Sequence, residues 1–144
     1  MRRGFTIIEV IAVIAILSII FVFGGSSISY YKRLNRDVEV ENFLSSFKHI
    51  VTEGKISAID TESNLKIKIE NSNKKIKLMN GHEEINSIEM PEYIQLNRNG
   101  IIDITSEGQV KAGTTILDNT KDKEKYFISI RVGVDYINIE KKKI

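Results

Sequence analysis

The chain has 144 residues, 42% apolar and 28% charged, which is enough for one folded domain and argues against pervasive disorder. Lys and Arg number 21 against 19 Asp and Glu, and without Arg2 and Arg3 the balance is even, so neither a strongly basic nucleic-acid binder nor an acidic tail is indicated. The chain has no cysteine, which excludes disulfides and thiolate metal sites.

From Phe5 to Phe23 the sequence reads FTIIEVIAVIAILSIIFVF, nineteen residues of which only Thr6, Glu9 and Ser18 are polar. As a helix rising about 1.5 Å per residue this run is about 28 Å long, close to the ~30 Å hydrocarbon core of a bilayer. A helix in a soluble core keeps a polar stripe and this run has none, so a membrane segment is expected. One kind of segment is a secretory signal, with Arg2 and Arg3 as its charged start and Gly24 and Ser26 as small residues ahead of a cut. What remained would be a secreted or membrane-anchored binding module. Glu9 stands against that reading. A carboxylate within an apolar helix costs about 2.5–3.5 kcal/mol on insertion scales, and by default it marks a function and needs a partner.

Arg2-Arg3-Gly4-Phe5-Thr6-Ile7-Ile8-Glu9, followed by the unbroken apolar run, resembles the start of the type IV pilins and pseudopilins. The resemblance implies that residues 1–4 are a leader. Prepilin peptidase would cut between Gly4 and Phe5 and methylate the Phe5 amine, and Glu9 would be the acid used in assembly. A positive amine at Phe5 would lie at the positive end of the helix dipole. In a bundle of such helices, Glu9 of one subunit could neutralise the amine of its neighbour, which turns an expensive charge into a register device. The resemblance further implies a single pass of the cytoplasmic membrane, N-in and C-out, and then a place in an extracellular, cell-surface filament. The implied partners are other pilins or pseudopilins, the prepilin peptidase and the assembly platform. The charge count does not set the topology, because Arg2 and Arg3 precede the run while Lys32, Arg33 and Arg36 follow it.

Residues 24–58 are expected to continue the helix. Gly24-Gly25-Ser26-Ser27 weakens it, at about 0.8–1.0 kcal/mol per glycine, and reads as a linker or, by the resemblance, as a flexible joint. Helix is expected to resume by Ile28 and to reach about Ala58. At helical spacing Val40, Phe43, Leu44, Phe47, Ile50, Val51, Gly54 and Ala58 share an arc of about 120°, the width of a face laid on a core. Glu41, Lys48, His49, Thr52 and Glu53 fall outside it. Leu34 and Val38 are also off the stripe, so the helix before Val40 is expected to leave the domain and these two residues to face other subunits.

Residues 59–144 read as β-rich. Leu65, Ile67 and Ile69 alternate with Lys66, Lys68 and Glu70, and Ile76 and Leu78 with Lys75 and Lys77, across an Asn71-Ser72-Asn73 turn, which is the pattern of a β-hairpin. Further β-type runs occupy 93–96, 101–104, 114–117, 126–132 and 136–140, separated by turns at Asn99-Gly100, Glu107-Gly108, 118–124 and Gly133. The fold class expected is α+β, a long N-terminal helix packed on a mainly antiparallel sheet. This half resembles the minor H-type pseudopilins and related minor pilins. The resemblance is carried by Met90-Pro91-Glu92-Tyr93-Ile94, Ile104-Thr105-Ser106-Glu107-Gly108, Gly113-Thr114-Thr115-Ile116 and Ser129-Ile130-Arg131-Val132-Gly133. Where that family commonly has a basic residue after the last glycine, this chain has Val134.

No other chemistry is legible. His82-Glu83-Glu84 lacks the HExxH spacing and reads as surface, as does His49. Asp118, Asp122 and Glu124 lack the ligand pattern of a calcium loop, and Lys121, Lys123 and Lys125 interleave with them, so a solvated turn is expected. There is no phosphate loop, nucleophile elbow or catalytic dyad, so neither an enzyme nor a cofactor or metal is expected. Lys66, Lys68, Lys75 and Lys77 line the outward face of the hairpin and are where DNA would be contacted. No aromatic residue interleaves with them for base stacking, and a lysine-protected edge is the commoner use of such a pattern. The function expected is a structural subunit, a minor pilin or pseudopilin, of a type IV pilus, competence or type II secretion filament.

Overall fold

The computed structural model describes residues 6–97, 100–131 and 137–143, which contain one helix and eight strands joined by turns. Helix α1 covers Ile7–Asp60. The strands are β1 (Leu65–Glu70), β2 (Lys75–Asn80), β3 (Glu83–Glu89), β4 (Ile94–Leu96), β5 (Gly100–Ile104), β6 (Gly113–Asn119), β7 (Glu124–Ile130) and β8 (Ile137–Lys143). The α+β class read from the sequence is the class observed. The chain divides into two units, Met1–Glu39 and Val40–Ile144.

In the first unit the side chains from Ile7 to Val22 are exposed, Ile7 and Phe21 to about four-fifths of their surface, as are Leu34 and Val38. Among the described residues no helix is long and apolar enough to cross a membrane. The backbone is helical through residues 24–27, where the sequence suggested a linker or joint. Two glycines add about 2 kcal/mol at most, and propagating a helix already formed on both sides gains a hydrogen bond for each residue fixed. The helix ends two residues later than expected, in a Schellman closure. Glu62 takes a left-handed φ of 50°, its amide donates to the Ile59 carbonyl at 3.3 Å, and the Ser63 amide donates to the Ala58 carbonyl at 3.2 Å.

The second unit holds the core. Its strands form two antiparallel sheets, ordered β3-β2-β1-β5 and β4-β6-β7-β8, where a single sheet was expected. The 65–79 hairpin is present in the register Leu65↔Asn80 through Glu70↔Lys75. Lys74, after the expected turn residues, takes the left-handed φ of 50° that closes it. β3 was not expected. Its sequence, EEINSIE, does not alternate, and its pairing with β2 slips at Leu78/Met79. Polar contacts hold it instead. Lys77 meets Glu84 at 2.9 Å, Lys75 meets Glu89 at 3.7 Å, and Asn86 Nδ2 donates to Glu53 Oε2 of the helix at 2.6 Å. The turn expected at 118–124 contracts to 120–123, because Asp118 and Glu124 belong to paired strands. Asn99, Val132, Gly133, Val134 and Tyr136 lie outside the described residues.

The helical stripe is where its phase placed it. Val40, Phe43, Phe47, Ile50, Val51 and Ala58 are at most 5% exposed and Leu44 packs against them. They share one core with Leu65, Ile67, Ile69, Leu78 and Ile104 of the first sheet and Ile94, Leu117, Ile128 and Ile130 of the second. Glu41, Lys48, His49 and Thr52 are exposed. Two glycines set the approach of helix to sheet. A Cβ on Gly54 would stand 2.7 Å from Ile104 Cδ1 and 3.0 Å from Leu78 Cδ1. At Gly108, φ is +75° and a Cβ would stand 2.8 Å from Ile59 Cδ1 and 3.3 Å from the Lys55 carbonyl oxygen.

Residues 29–144, cut free of the apolar run, should therefore fold and melt cooperatively with both helix and strand signals in circular dichroism. Phe47→Asp places an unpaired charge in the core and should abolish that melt. Folding of the Phe47→Asp domain would contradict the helix phase. Gly108→Ala combines a disfavoured backbone with a steric clash and should lower stability by about 1–3 kcal/mol, read from the melting temperature.

Candidate functional site

Two of the three residues singled out at the N-terminus, Gly4 and Phe5, lie outside the described residues. The third, Glu9, sits in the first turn of α1, and its surroundings explain how a carboxylate is held there. Thr6 is the last non-helical residue and Ile7 the first helical one, so Thr6 is the N-cap and Glu9 the third residue of the helix. The Thr6 amide donates to Glu9 Oε2 at 2.8 Å and the Thr6 hydroxyl donates to the same oxygen at 2.9 Å. The Thr6 hydroxyl also accepts from the Glu9 amide at 3.4 Å. This is a reciprocal capping box, and the sequence carries its signature, T-x-x-E. The function of Glu9 was sought in its charge, and the local role of Thr6 was missed. The box draws the carboxylate back toward the helix start, where the dipole favours a negative charge.

The hairpin lysines are less free than their alternation suggested. Lys66 is exposed and Lys68 half-buried, and Lys68 stands directly opposite Lys77 in the ladder, an unfavourable pair of like charges. Lys77 turns to Glu84 on β3, which holds the Glu84 carboxyl below the usual carboxylate range and lifts the Lys77 ammonium above its own. Lys75 lies by Glu89. His82 is exposed in its turn, and His49 Nδ1 is 4.0 Å from Glu53 on the same helix face. Among the described residues no group of acidic, histidine or cysteine side chains could hold a metal ion. A cleft of about 520 Å³ between β5 and β6 is lined by Ile101, Ile102, Thr114 and Ile116. The one charged residue in its described lining is Lys111, which faces Asp103 at 4.0 Å.

Glu124 was read as part of a solvated turn and is 3% exposed. Lys141 of β8 approaches its Oε2 at 2.9 Å, and the Tyr126 hydroxyl donates to the same oxygen at 3.1 Å. Lys141 also lies 5.7 Å from the Tyr126 ring centroid. Burial and the bond to Glu124 push the Tyr126 phenol upward, and the bond to Glu124 pushes Lys141 upward. The triad ties the final strand to its sheet.

Residues 1–24 match the family described as the prokaryotic N-terminal methylation motif. In fold, the chain is similar to the minor pseudopilin EpsH from the type 2 secretion system of Vibrio cholerae. The TM-score is 0.50 at 12% identity, over 72% of this chain and 95% of that one. No curated protein sequence matches the chain. The likeness to pilins and pseudopilins thus rests on a terminal motif and, separately, on a fold.

The Glu124 triad makes its own prediction. Tyr126 and Lys141 have raised folded values, so their stabilisation is complete below their ordinary values of 10.0 and 10.5 and is lost as pH rises through the folded ones. The melting temperature of the 29–144 domain should fall in that alkaline range, and Tyr126→Phe should flatten the fall. At neutral pH, Lys141→Met leaves a buried carboxylate short of its cation and should cost about 1–3 kcal/mol.

Proposed function

We propose that this chain is a minor pilin or pseudopilin, a structural subunit of a type IV pilus, competence or type II secretion filament, assembled through α1. The observation that carries the reading is the Thr6–Glu9 capping box at the head of an exposed apolar helix, inside the N-terminal methylation motif matched by residues 1–24. Prepilin peptidase cuts between Gly4 and Phe5 and methylates the new amine. Before assembly the subunit spans the cytoplasmic membrane once, N-in and C-out, and the box satisfies part of the hydrogen-bonding capacity of Glu9 within the helix. In the filament Glu9 meets the Phe5 amine of a neighbouring subunit in a low-dielectric bundle. Leu34 and Val38, exposed on this chain, face other subunits there. A conventional signal peptide would leave Glu9 without a purpose. DNA binding on the hairpin gains no support from a face where Lys75 and Lys77 already meet glutamates.

Glu9→Val separates assembly from stability. It removes the one costly charge of the apolar run, so insertion should become easier by about 2.5–3.5 kcal/mol. Incorporation into the sheared filament fraction should nevertheless fail or drop sharply. Glu9→Asp keeps the charge with a shorter reach and should be intermediate. Thr6→Ala removes the cap, worth about 1 kcal/mol to the helix start, and should lower incorporation while leaving the charge in place. Wild-type levels of Glu9→Val in the filament would contradict the pairing.

A further inference from the structure

Just past the apolar run, α1 changes character within two turns. Tyr30, Tyr31, Lys32 and Arg33 are consecutive and exposed, the two tyrosines to 71% and 64%, and Ile28 ahead of them is 58% exposed. At about 1.5 Å per residue, Tyr30 lies about 10 Å along the helix beyond Phe23. The headgroup layer of a bilayer is roughly 5–8 Å thick on each side of the ~30 Å core. Side chains on a helix lean toward its N-terminus, here back toward the apolar run, and the stems of Lys32 and Arg33 are long enough to cover the difference with their cations still in water. Tyrosine prefers this level because its ring is apolar and its hydroxyl is wet.

The charges sharpen the point. Cations close behind a span oppose its translocation, and here Lys32 and Arg33 follow the run on the side that the N-in arrangement places outside. In that arrangement they would need compensation, which the phosphates of the outer leaflet could supply.

We infer that Tyr30, Tyr31, Lys32 and Arg33 form a collar that binds the phosphate groups of anionic phospholipids at the outer membrane face and sets the depth at which the subunit waits before assembly. This rests on the proposed single pass. The occupant is a lipid surface: two cations and two tyrosine rings in a single turn match a layer of phosphates lying over acyl chains.

The lack of native cysteine makes the test direct. Full-length protein bearing Ser29→Cys with an environment-sensitive dye is reconstituted in phosphatidylcholine vesicles with and without phosphatidylglycerol, and Ile14→Cys, at the middle of the apolar run, serves as a second reporter. The dye at position 29 should be shielded from a neutral aqueous quencher and quenched by a headgroup nitroxide, more so with phosphatidylglycerol. Lys32→Gln with Arg33→Gln should raise its aqueous quenching roughly twofold and erase the lipid difference. Position 14 should stay deep throughout. If position 29 is equally accessible with and without the two cations while position 14 is deep, the collar is refuted and the single pass stands. Aqueous exposure at position 14 would overturn the single pass and the collar with it.

Discussion

A carboxylate in the first turn of the helix, within an almost wholly apolar run, is the constraint on which the proposed assembly depends. Left alone in hydrocarbon, Glu9 would oppose insertion. The structure gives it two hydrogen bonds from Thr6, one from the amide and one from the hydroxyl, and a place at the positive end of the helix dipole. That arrangement stabilises the charge within one chain and holds it at the start of the helix. On the proposed reading, insertion and assembly thus make different demands on the same group, and the capping box lets both be met.

Stability is supplied elsewhere. The unit beginning at Val40 coincides with the start of the buried stripe, and every apolar residue of that stripe faces the shared core of the two sheets. Close approach at Gly54 and Gly108 fixes the helix against the first sheet, and the Glu124–Lys141–Tyr126 triad fixes the last strand to the second. None of these contacts involves the exposed apolar residues before Val40. On the proposed reading, a change at Glu9 can therefore alter assembly with the core intact, and a change at Phe47 can destroy the core with the N-terminal motif intact.

Much of this was legible because two periodicities carry it. The 3.6-residue period placed Val40, Phe47 and Ala58 on the buried face, and the two-residue period found β1 and β2 with their inward Ile67 and Leu78. What was missed lacked a period or depended on distant partners. β3 is an edge strand held by ion pairs and a bulge, so EEINSIE gives no alternation to read. Alternation shows which residues face the core but not which strand pairs with which, so one sheet was expected where β4 in fact joins β6 in a second. Glu124 looked solvated among its lysines because the cation that neutralises it, Lys141, arrives from another strand. At the N-terminus, Glu9 was singled out by its cost and by the resemblance. Thr6 was overlooked although T-x-x-E is a local signature that needs no tertiary partner.

The account turns on whether the chain is processed so that Glu9 gains an amine to meet. The most direct measurement is the intact mass and N-terminal peptide of the protein recovered from the membrane fraction of cells that make it. The account predicts a chain beginning Phe5-Thr6-Ile7-Ile8-Glu9, methylated on its amine and retaining the whole apolar helix. A mature chain beginning near Ser27, with the apolar run removed, would contradict it.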